Sequence, residues 1–224
     1  MEEKELNEQE SISLISEMIQ KAKSSFHESG TSAILWGSVV AFCGLVSFMQ
    51  AQFGFSIGFD VWLLIFVAVI PQVYITIREN RKKLVKSYQD AATDNVWLVY
   101  AISLVAVLLY QNIVPSVSDK LMLQDGIQLL QKNIETGETK NFNFFIPGMA
   151  SLYLIIYAFP TIATGLINKF KPMIWGAVVC YGLFVISLYT SLKYDMLMLG
   201  LAGIANWLIP GLILRDRYNK NIAC

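Results

Sequence analysis

The chain has 224 residues and a net charge of zero; 55% of its residues are hydrophobic and 15% are charged. A soluble domain carries roughly 25% charged residues, so this composition excludes an ordinary soluble protein. The zero net charge offers no basic surface for a nucleic acid, and we expect no nucleic-acid partner.

Six stretches of the chain contain no Asp, Glu, Lys or Arg. They cover 31–59, 61–77, 95–118, 141–168, 172–192 and 196–214. A helix of about 20 apolar residues crosses the hydrocarbon core of a bilayer, and a helix satisfies its own backbone groups in lipid. The sequence therefore predicts an all-α fold, a polytopic membrane bundle of six transmembrane helices. We place these near 31–52, 60–78, 95–114, 145–167, 172–192 and 195–214.

Residues 1–30 precede the predicted transmembrane domain 31–214, and segment 7–28 has the pattern of an amphipathic helix. Its apolar face repeats at steps of three and four residues and comprises Ile12, Ile15, Met18, Ile19, Ala22 and Phe26. Its polar face includes Glu10 and Glu17, whereas helices that lie on membranes usually carry Lys and Arg there. Two alternatives follow: the helix docks on its own bundle or the lipid bilayer, or it binds a membrane or cytoplasmic partner protein.

The loop after the second predicted span is rich in basic residues. Five of them fall within nine positions: Arg78, Arg81, Lys82, Lys83 and Lys86. Basic residues beside a span attract anionic headgroups with about 1 kcal/mol each, which predicts a membrane-surface basic patch. Docking of the acidic N-terminal helix on this patch is the alternative.

Segment 115–144 is the long connection on the other side of the predicted bundle. Its apolar residues are spaced as on one face of a helix: Leu121, Leu123, Ile127, Leu130 and Ile134. This spacing predicts a short amphipathic helix that starts after Ser118, followed by a turn at Thr136-Gly137. We expect the segment to lie on the outer membrane surface or to cap the bundle.

The first and fifth predicted spans resemble each other. Ile34-Leu-Trp-Gly37 is similar to Met173-Ile-Trp-Gly176, and both helices run in the same direction. The repetition favours three helical hairpins, formed by spans 1–2, 3–4 and 5–6, although apolar helices also align by chance. Small residues in two spans predict close helix contacts: Gly37, Ala41, Gly44, Gly200 and Gly203.

The distribution of Lys and Arg predicts the orientation. Of the 17 basic residues, thirteen lie on the side of both termini and four on the other: Lys120, Lys132, Lys140 and Lys193. Because cytoplasmic loops carry the excess of positive residues, we expect a multi-pass protein of the cytoplasmic (inner) membrane with both termini, including the basic tail 215–224, in the cytoplasm. Trp36 and Trp97 stand near cytoplasmic span ends, as interfacial anchors do.

Several segments resemble a known family. They are Asn7–Ser11, Ile70–Arg78, Phe159–Gly165, Lys169–Gly176 and Ile209–Arg215. Together they look like an uncharacterised family of small six-helix inner-membrane proteins of Bacteroidetes-type bacteria, over nearly the whole chain. The resemblance implies the six-helix topology and the inner-membrane location, and it carries over no activity and no site residue.

The interiors of the predicted spans contain no charged residue, although charges inside a membrane mark proton and ion paths. Asp60 and Asp195 stand at the starts of the second and sixth spans, where the helix dipole favours a solvated carboxylate. The single histidine, His27, has no Cys or His at ligand spacing, so we expect no metal site. No Gly-x-Ser-x-Gly motif, Walker loop or His-Glu-x-x-His motif occurs, and we expect neither an enzyme nor a cofactor.

Each even-numbered span contains a proline in its cytoplasmic half. A proline leaves the carbonyl four residues earlier without a donor, here those of Val67, Ile156 and Asn206, and such a group is costly in lipid. We predict that the prolines converge on a groove for a ligand or a partner helix, formed by Pro71, Gln72, Tyr157, Pro160, Thr161, Asn206, Trp207 and Pro210. The alternative is that the kinks only shape packing.

Two functions remain open. The N-terminal helix and the absence of charge in the spans favour a non-catalytic regulatory or assembly subunit that acts through protein contacts. The repetition and the proline-broken helices favour a transporter or channel-like carrier for a neutral or lipid-like solute. The second function predicts a cavity between helices that opens to one side, and a solidly packed bundle would contradict it.

Overall fold

The computed structural model of the protein describes residues 29–82, 87–142 and 149–223. The predicted amphipathic helix 7–28 lies outside the described residues. Lys83 and Lys86 of the predicted basic patch also lie outside them, as does the side chain of Lys82.

The described residues form a helical bundle with one small β-hairpin. The helices are α1 (Thr31–Phe53), α2 (Leu64–Lys82), α3 (Tyr88–Gln124), α4 (Met149–Ile167), α5 (Lys171–Ser187), α6 (Leu192–Gly203) and α7 (Ile209–Ala223). A 3₁₀ turn, Val61–Leu63, leads into α2, and a π-helical segment, Ile204–Leu208, joins α6 to α7 without a break. Five helices are long and apolar enough to cross a membrane, counting α6 to α7 as one, whereas α5 has 17 residues and is shorter. The prediction of an apolar helical bundle is confirmed at this level.

Capping residues explain where α2 and α3 begin. Asp60 accepts a hydrogen bond from the backbone N–H of Trp62 at 2.9 Å and so starts the 3₁₀ turn. Ser87 and Asp90 form a capping box, in which each side chain accepts from the other's backbone N–H at 3.1 Å. As a result α3 starts seven residues before the predicted span 95–114, and its 37 residues extend for about 55 Å.

The structure of segment 115–144 differs from the sequence prediction. Instead of a separate amphipathic helix after Ser118, α3 continues to Gln124, and β1 (Leu130–Lys132) then pairs antiparallel with β2 (Thr139–Asn141). The connecting turn is stabilised by Asn133, whose Oδ1 accepts from the backbone N–H groups of Glu135 and Thr136. The helical spacing of the apolar residues was misleading because this local turn chemistry favours a hairpin.

The core of the bundle is formed by α1, α4, α5 and the α6–π–α7 helix. Its buried side chains include Val40, Leu154, Cys180, Leu199 and Trp207. The most extensive contacts join α1 to α6 and α4 to α5. The predicted hairpin of the first two spans is not the main contact of α1. This helix packs more extensively on α6 than on its hairpin neighbour α2.

Glycines allow the core helices to touch, as the small residues predicted. A Cβ atom at Gly44 would stand 2.6 Å from Cα of Gly200, and one at Gly37 would stand 2.7 Å from Cα of Leu208. Gly176 similarly abuts Ala205 of the π-helical segment. The glycines of the similar Trp-Gly pairs in the first and fifth spans therefore both pack on this segment.

α2 and α3 lie outside this core. α2 packs on α1, α3 packs on α4, and within the described residues the two helices do not pack on each other. Of the most apolar 18-residue window, 11% is buried in α2 and none in α3, against 50% in α4. A gap between α2 and α3 therefore faces the surroundings of the bundle.

The two ends of the bundle differ in charge. At one end Ser29 bonds to Glu79, and the Arg217 guanidinium lies 5.2 Å from the ring centroid of Phe170. We call it the basic end, because the described residues Arg78, Arg81, Lys169, Lys171 and Arg215 stand at the corresponding ends of their helices. At the opposite end Lys193 donates to Gln52 at 3.3 Å.

Asp195 corrects one sequence expectation. It was expected to be solvated at the start of a helix, but it is 3% exposed and accepts a hydrogen bond from Thr190 at 2.9 Å. The packing of α6 against α1 brings this first turn into the bundle. Asp60, by contrast, is exposed as expected.

Candidate ligand-binding cavity

A cavity of about 570 Å³ lies between the core and the two peripheral helices, toward the basic end. α1 and α2 form one side, and α3 forms the other. Tyr157, Thr164 and Trp207 of the core form its floor. The gap between α2 and α3 runs beside the cavity, so the cavity is bounded by the part of the bundle that packs least.

Five aromatic side chains line the cavity. Trp97, Tyr100, Tyr157 and Trp207 are in contact with one another and are called the aromatic wall below. Tyr157 and Trp207 have ring centroids 4.9 Å apart, and Trp97 lies edge-on to Tyr100 at 5.4 Å. Trp36 of α1 adds a fifth ring. Such a surface suits an apolar body or an electron-poor group that lies against ring faces.

Hydrogen bonds in the core hold Trp207 in the aromatic wall. Thr161 Oγ1 accepts from the Trp207 indole N–H at 2.9 Å and donates to the Tyr157 carbonyl at 3.1 Å. Asn206 Nδ2 donates to the same carbonyl at 2.7 Å. The π-helical segment inserts an extra residue per turn at this point, and such segments are frequent at functional sites.

Two buried polar atoms of the described residues that line the cavity have no hydrogen-bond partner. Thr164 lines the cavity, is 1% exposed, and its Oγ1 is unpartnered. Gln72 donates to Ser32 and Thr76 at 3.1 Å each, while its Oε1 is unpartnered. A buried polar atom without a partner costs about 1–3 kcal/mol, so both atoms favour a bound polar group.

The structure brings together part of the predicted groove. Gln72, Tyr157 and Trp207 line the cavity, and Thr161 and Asn206 lie directly behind it. These five residues come from α2, α4 and the π-helical segment. Their proximity was expected from the polar residues beside the prolines.

The prolines themselves do not converge. Pro160 and Pro210 are fully buried in the core, but Pro71 is exposed on α2, and Val67, whose carbonyl it frees, is 60% exposed. The prediction of a site shared by three prolines is therefore wrong. The reason is that, among the helices the structure describes, α2 packs on α1 alone and turns its proline face away from the bundle.

Sequence reasoning missed several residues that line the cavity. Trp36 and Trp97 were expected as interfacial anchors, and Glu79 and Asp94 were not predicted to belong to any site. The available signal was their spacing: Glu79 lies seven residues after Gln72, and Asp94 three before Trp97, which places each pair on one helix face. Arg78 and Arg81 of the predicted basic patch are exposed and do not line the cavity.

Comparison of the chain with known protein families, with characterised proteins and with solved structures finds no match. The resemblance to six-helix inner-membrane proteins therefore stays a prediction. The cavity and its lining are the observations from which function can be argued.

Proposed function

We propose that this protein is a membrane carrier that binds one small amphipathic, lipid-like solute in the aromatic cavity. The cavity is the observation that carries the proposal. Its volume of about 570 Å³ falls within the range of roughly 300–1,000 Å³ that is usual for ligand sites. A largely apolar lining with a few polar groups at one end is also the usual composition of such sites.

The gap between α2 and α3 supports access from the bilayer. The two helices do not pack on each other within the described residues, and their outward side chains are apolar. An amphipathic molecule dissolved in lipid reaches the cavity sideways without crossing a polar barrier. A solute from water would instead have to pass the polar groups at the basic end.

A cavity-filling variant tests this function. Ala101→Phe places a ring into the cavity from α3, whereas Ala106→Phe places the same ring on an exposed part of α3 outside the lining. We expect native mass spectrometry of protein extracted from its membrane to show a bound small molecule in the parent and in Ala106→Phe, and none in Ala101→Phe. Identical bound mass in both variants, or no bound mass in the parent, contradicts the proposal.

We also propose that α5 crosses the membrane, which gives six crossings with both termini at the cytoplasmic side of the inner membrane. The 17 residues of α5 span about 25 Å, and their burial among core helices supports a crossing despite this length. In a Cys224→Ser background, Asn80→Cys and Asn219→Cys should resist an impermeant thiol reagent in intact cells. Ile134→Cys, in the hairpin turn, should react; labelling of Asn80→Cys before lysis would contradict this orientation.

The regulatory-subunit hypothesis is supported by a different feature, the acidic polar face predicted for segment 7–28. Deletion of residues 1–28 should abolish co-purification of a partner protein while the bundle keeps its thermal midpoint. If pull-downs with the intact and the shortened chain recover the same proteins, the regulatory-subunit hypothesis is contradicted. The result for Ala101→Phe and Ala106→Phe does not depend on whether a partner protein binds, so the two functions are tested separately.

A further inference from the structure

Thr164 is a buried residue of the cavity floor whose hydroxyl makes no hydrogen bond within the protein. The residue is 1% exposed, and its Oγ1 is unpartnered. Thr161 on the same helix differs, because its Oγ1 donates to the Tyr157 carbonyl and accepts from the Trp207 indole N–H. Helix α4 therefore satisfies one of these two hydroxyls and leaves the other to the cavity. A hydroxyl both donates and accepts, so Thr164 suits a ligand group that does the same.

Gln72 of α2 adds an acceptor to the same cavity. Both hydrogens of its side-chain amide are in use, because Nε2 donates to Ser32 and to Thr76 at 3.1 Å each. These two bonds hold the amide in place and leave Oε1, which is unpartnered and can only accept. A ligand that satisfies Oε1 must therefore carry a hydrogen-bond donor.

The charged residues of the lining do not favour an ionic headgroup. Among the described residues that line the cavity there is no Lys or Arg, so an anionic headgroup would be buried without a counter-charge, which is costly. The acids Glu79 and Asp94 each have an interaction within the protein already, Glu79 with Ser29. The polar group that this lining fits best is therefore uncharged.

We infer that the ligand is an uncharged amphiphile with a hydroxyl headgroup, such as a long-chain alcohol or a monoacylglycerol. The inference rests on the proposed carrier function and names its substrate class. Thr164 pairs with the hydroxyl, Gln72 Oε1 accepts from a headgroup donor, and the apolar chain lies against the aromatic wall. This class lies within the neutral or lipid-like solutes expected from the sequence.

The preference for a headgroup tests the inference. Four probes share one ω-brominated dodecyl chain and end in a hydroxyl, a methyl ether, a sulfate or a trimethylammonium group. Each is titrated into the protein in nanodiscs, where its bromine quenches Trp36, Trp97 and Trp207, which line the cavity. Binding is the quenching in the parent minus that in Ala101→Phe at the same mole fraction of probe in the bilayer.

We expect the alcohol to bind about three- to tenfold more tightly than the ether, because the ether cannot donate a hydrogen bond. The two ionic probes should show no saturable binding. An ether or an ionic probe that binds as tightly as the alcohol overturns the inference.

The variant Thr164→Val assigns the preference to the buried hydroxyl. Valine has nearly the same shape, so loss of an unpartnered hydroxyl should keep or raise the thermal midpoint of the ligand-free protein, while alcohol binding weakens about three- to tenfold. Ser151→Ala is the matched control, because Ser151 Oγ is also buried and unpartnered on α4 but does not line the cavity. It should leave alcohol binding unchanged. Unchanged binding in Thr164→Val, or a lower midpoint together with lost binding, overturns the inference.

The variant Ala101→Phe separates this inference from the carrier function. If all four probes bind equally and Ala101→Phe removes their binding, the hydroxyl headgroup is wrong and the carrier function stands. Equal quenching of the parent and of Ala101→Phe by every probe contradicts the carrier function itself.

A competition experiment identifies the source of the hydroxyl. Displacement of the brominated alcohol by a monoacylglycerol assigns the site to a glycerolipid. Displacement by unlabelled dodecanol alone assigns it to a free alcohol, and displacement by neither contradicts the inference.

Discussion

The core helices and the two peripheral helices have nearly the same hydropathy but opposite packing. The most apolar windows of α3 and α4 have mean hydropathies of 1.8 and 1.7, yet none of the first and 50% of the second is buried. Hydropathy therefore places both in lipid without saying which will pack. In the core, glycines at Gly37, Gly44 and Gly176 let backbones touch.

The difference also explains where the cavity forms. A tightly packed core presents a fixed wall, and the α2 and α3 helices, which contain no glycine, do not approach it as closely. The cavity is the space between the core on one side and α2 and α3 on the other. Variants that disturb the core should therefore act mainly on stability, and variants on the cavity side mainly on binding.

The largest effect is expected at the glycine contacts of the core. Gly44→Ala adds a Cβ that would stand 2.6 Å from Cα of Gly200, and such overpacking typically costs about 1–3 kcal/mol. Gly182→Ala is the matched control, because no atom lies within 4 Å of its added Cβ and alanine favours a helix by about 1 kcal/mol. Thermal midpoints in detergent should fall for the first variant and stay or rise for the second. Equal midpoints would contradict the packing account.

A smaller difference in stability is expected between substitutions of a proline in the core, Pro210, and a proline on the peripheral helix α2, Pro71. Pro210→Ala restores an N–H donor just after the π-helical segment, which should let it relax toward an α-helix and turn Trp207 by about 100°. We expect loss of ligand binding and a fall in stability of about 1 kcal/mol from the lost packing of the buried ring. Pro71→Ala, on the exposed side of α2, should leave binding intact and stability unchanged or higher. Ligand titration and thermal unfolding check both, and intact binding in Pro210→Ala would refute the proposed role of the π-helical segment.

The smallest effect concerns a single hydrogen bond. Thr161→Val removes the acceptor of the Trp207 indole N–H at nearly constant volume, and hydrogen bonds between membrane helices contribute about 0.6–2 kcal/mol. We expect a stability loss of about 1 kcal/mol and weaker ligand binding. Thr139→Val in the exposed strand β2 is the control and should change neither quantity. If ligand affinity in Thr161→Val equals that of the parent, the bond does not position Trp207 for binding.

Part of this arrangement could be predicted from the sequence. Charge-free stretches located the helices, and the small residues predicted close helix contacts without naming the partners, because both signals are local. The length of α3 escaped prediction, since a capping box and polar residues extend a helix beyond the apolar stretch that lipid requires. The positions of Glu79, Asp94 and Pro71 escaped as well, because they depend on which side of α2 and α3 faces the core. Hydropathy carries no such information when both sides are apolar.

The central claim is that one solute binds in the cavity beside α2 and α3. Its most direct test uses the variant Trp62→Phe/Trp175→Phe, which keeps only the three tryptophans that line the cavity. A brominated single-chain amphiphile is titrated into this protein in nanodiscs, with Ala101→Phe added in a parallel sample. The account predicts quenching that saturates at one amphiphile per protein and disappears with Ala101→Phe. Quenching that rises in proportion to the amphiphile in the bilayer, equally in both samples, would contradict it.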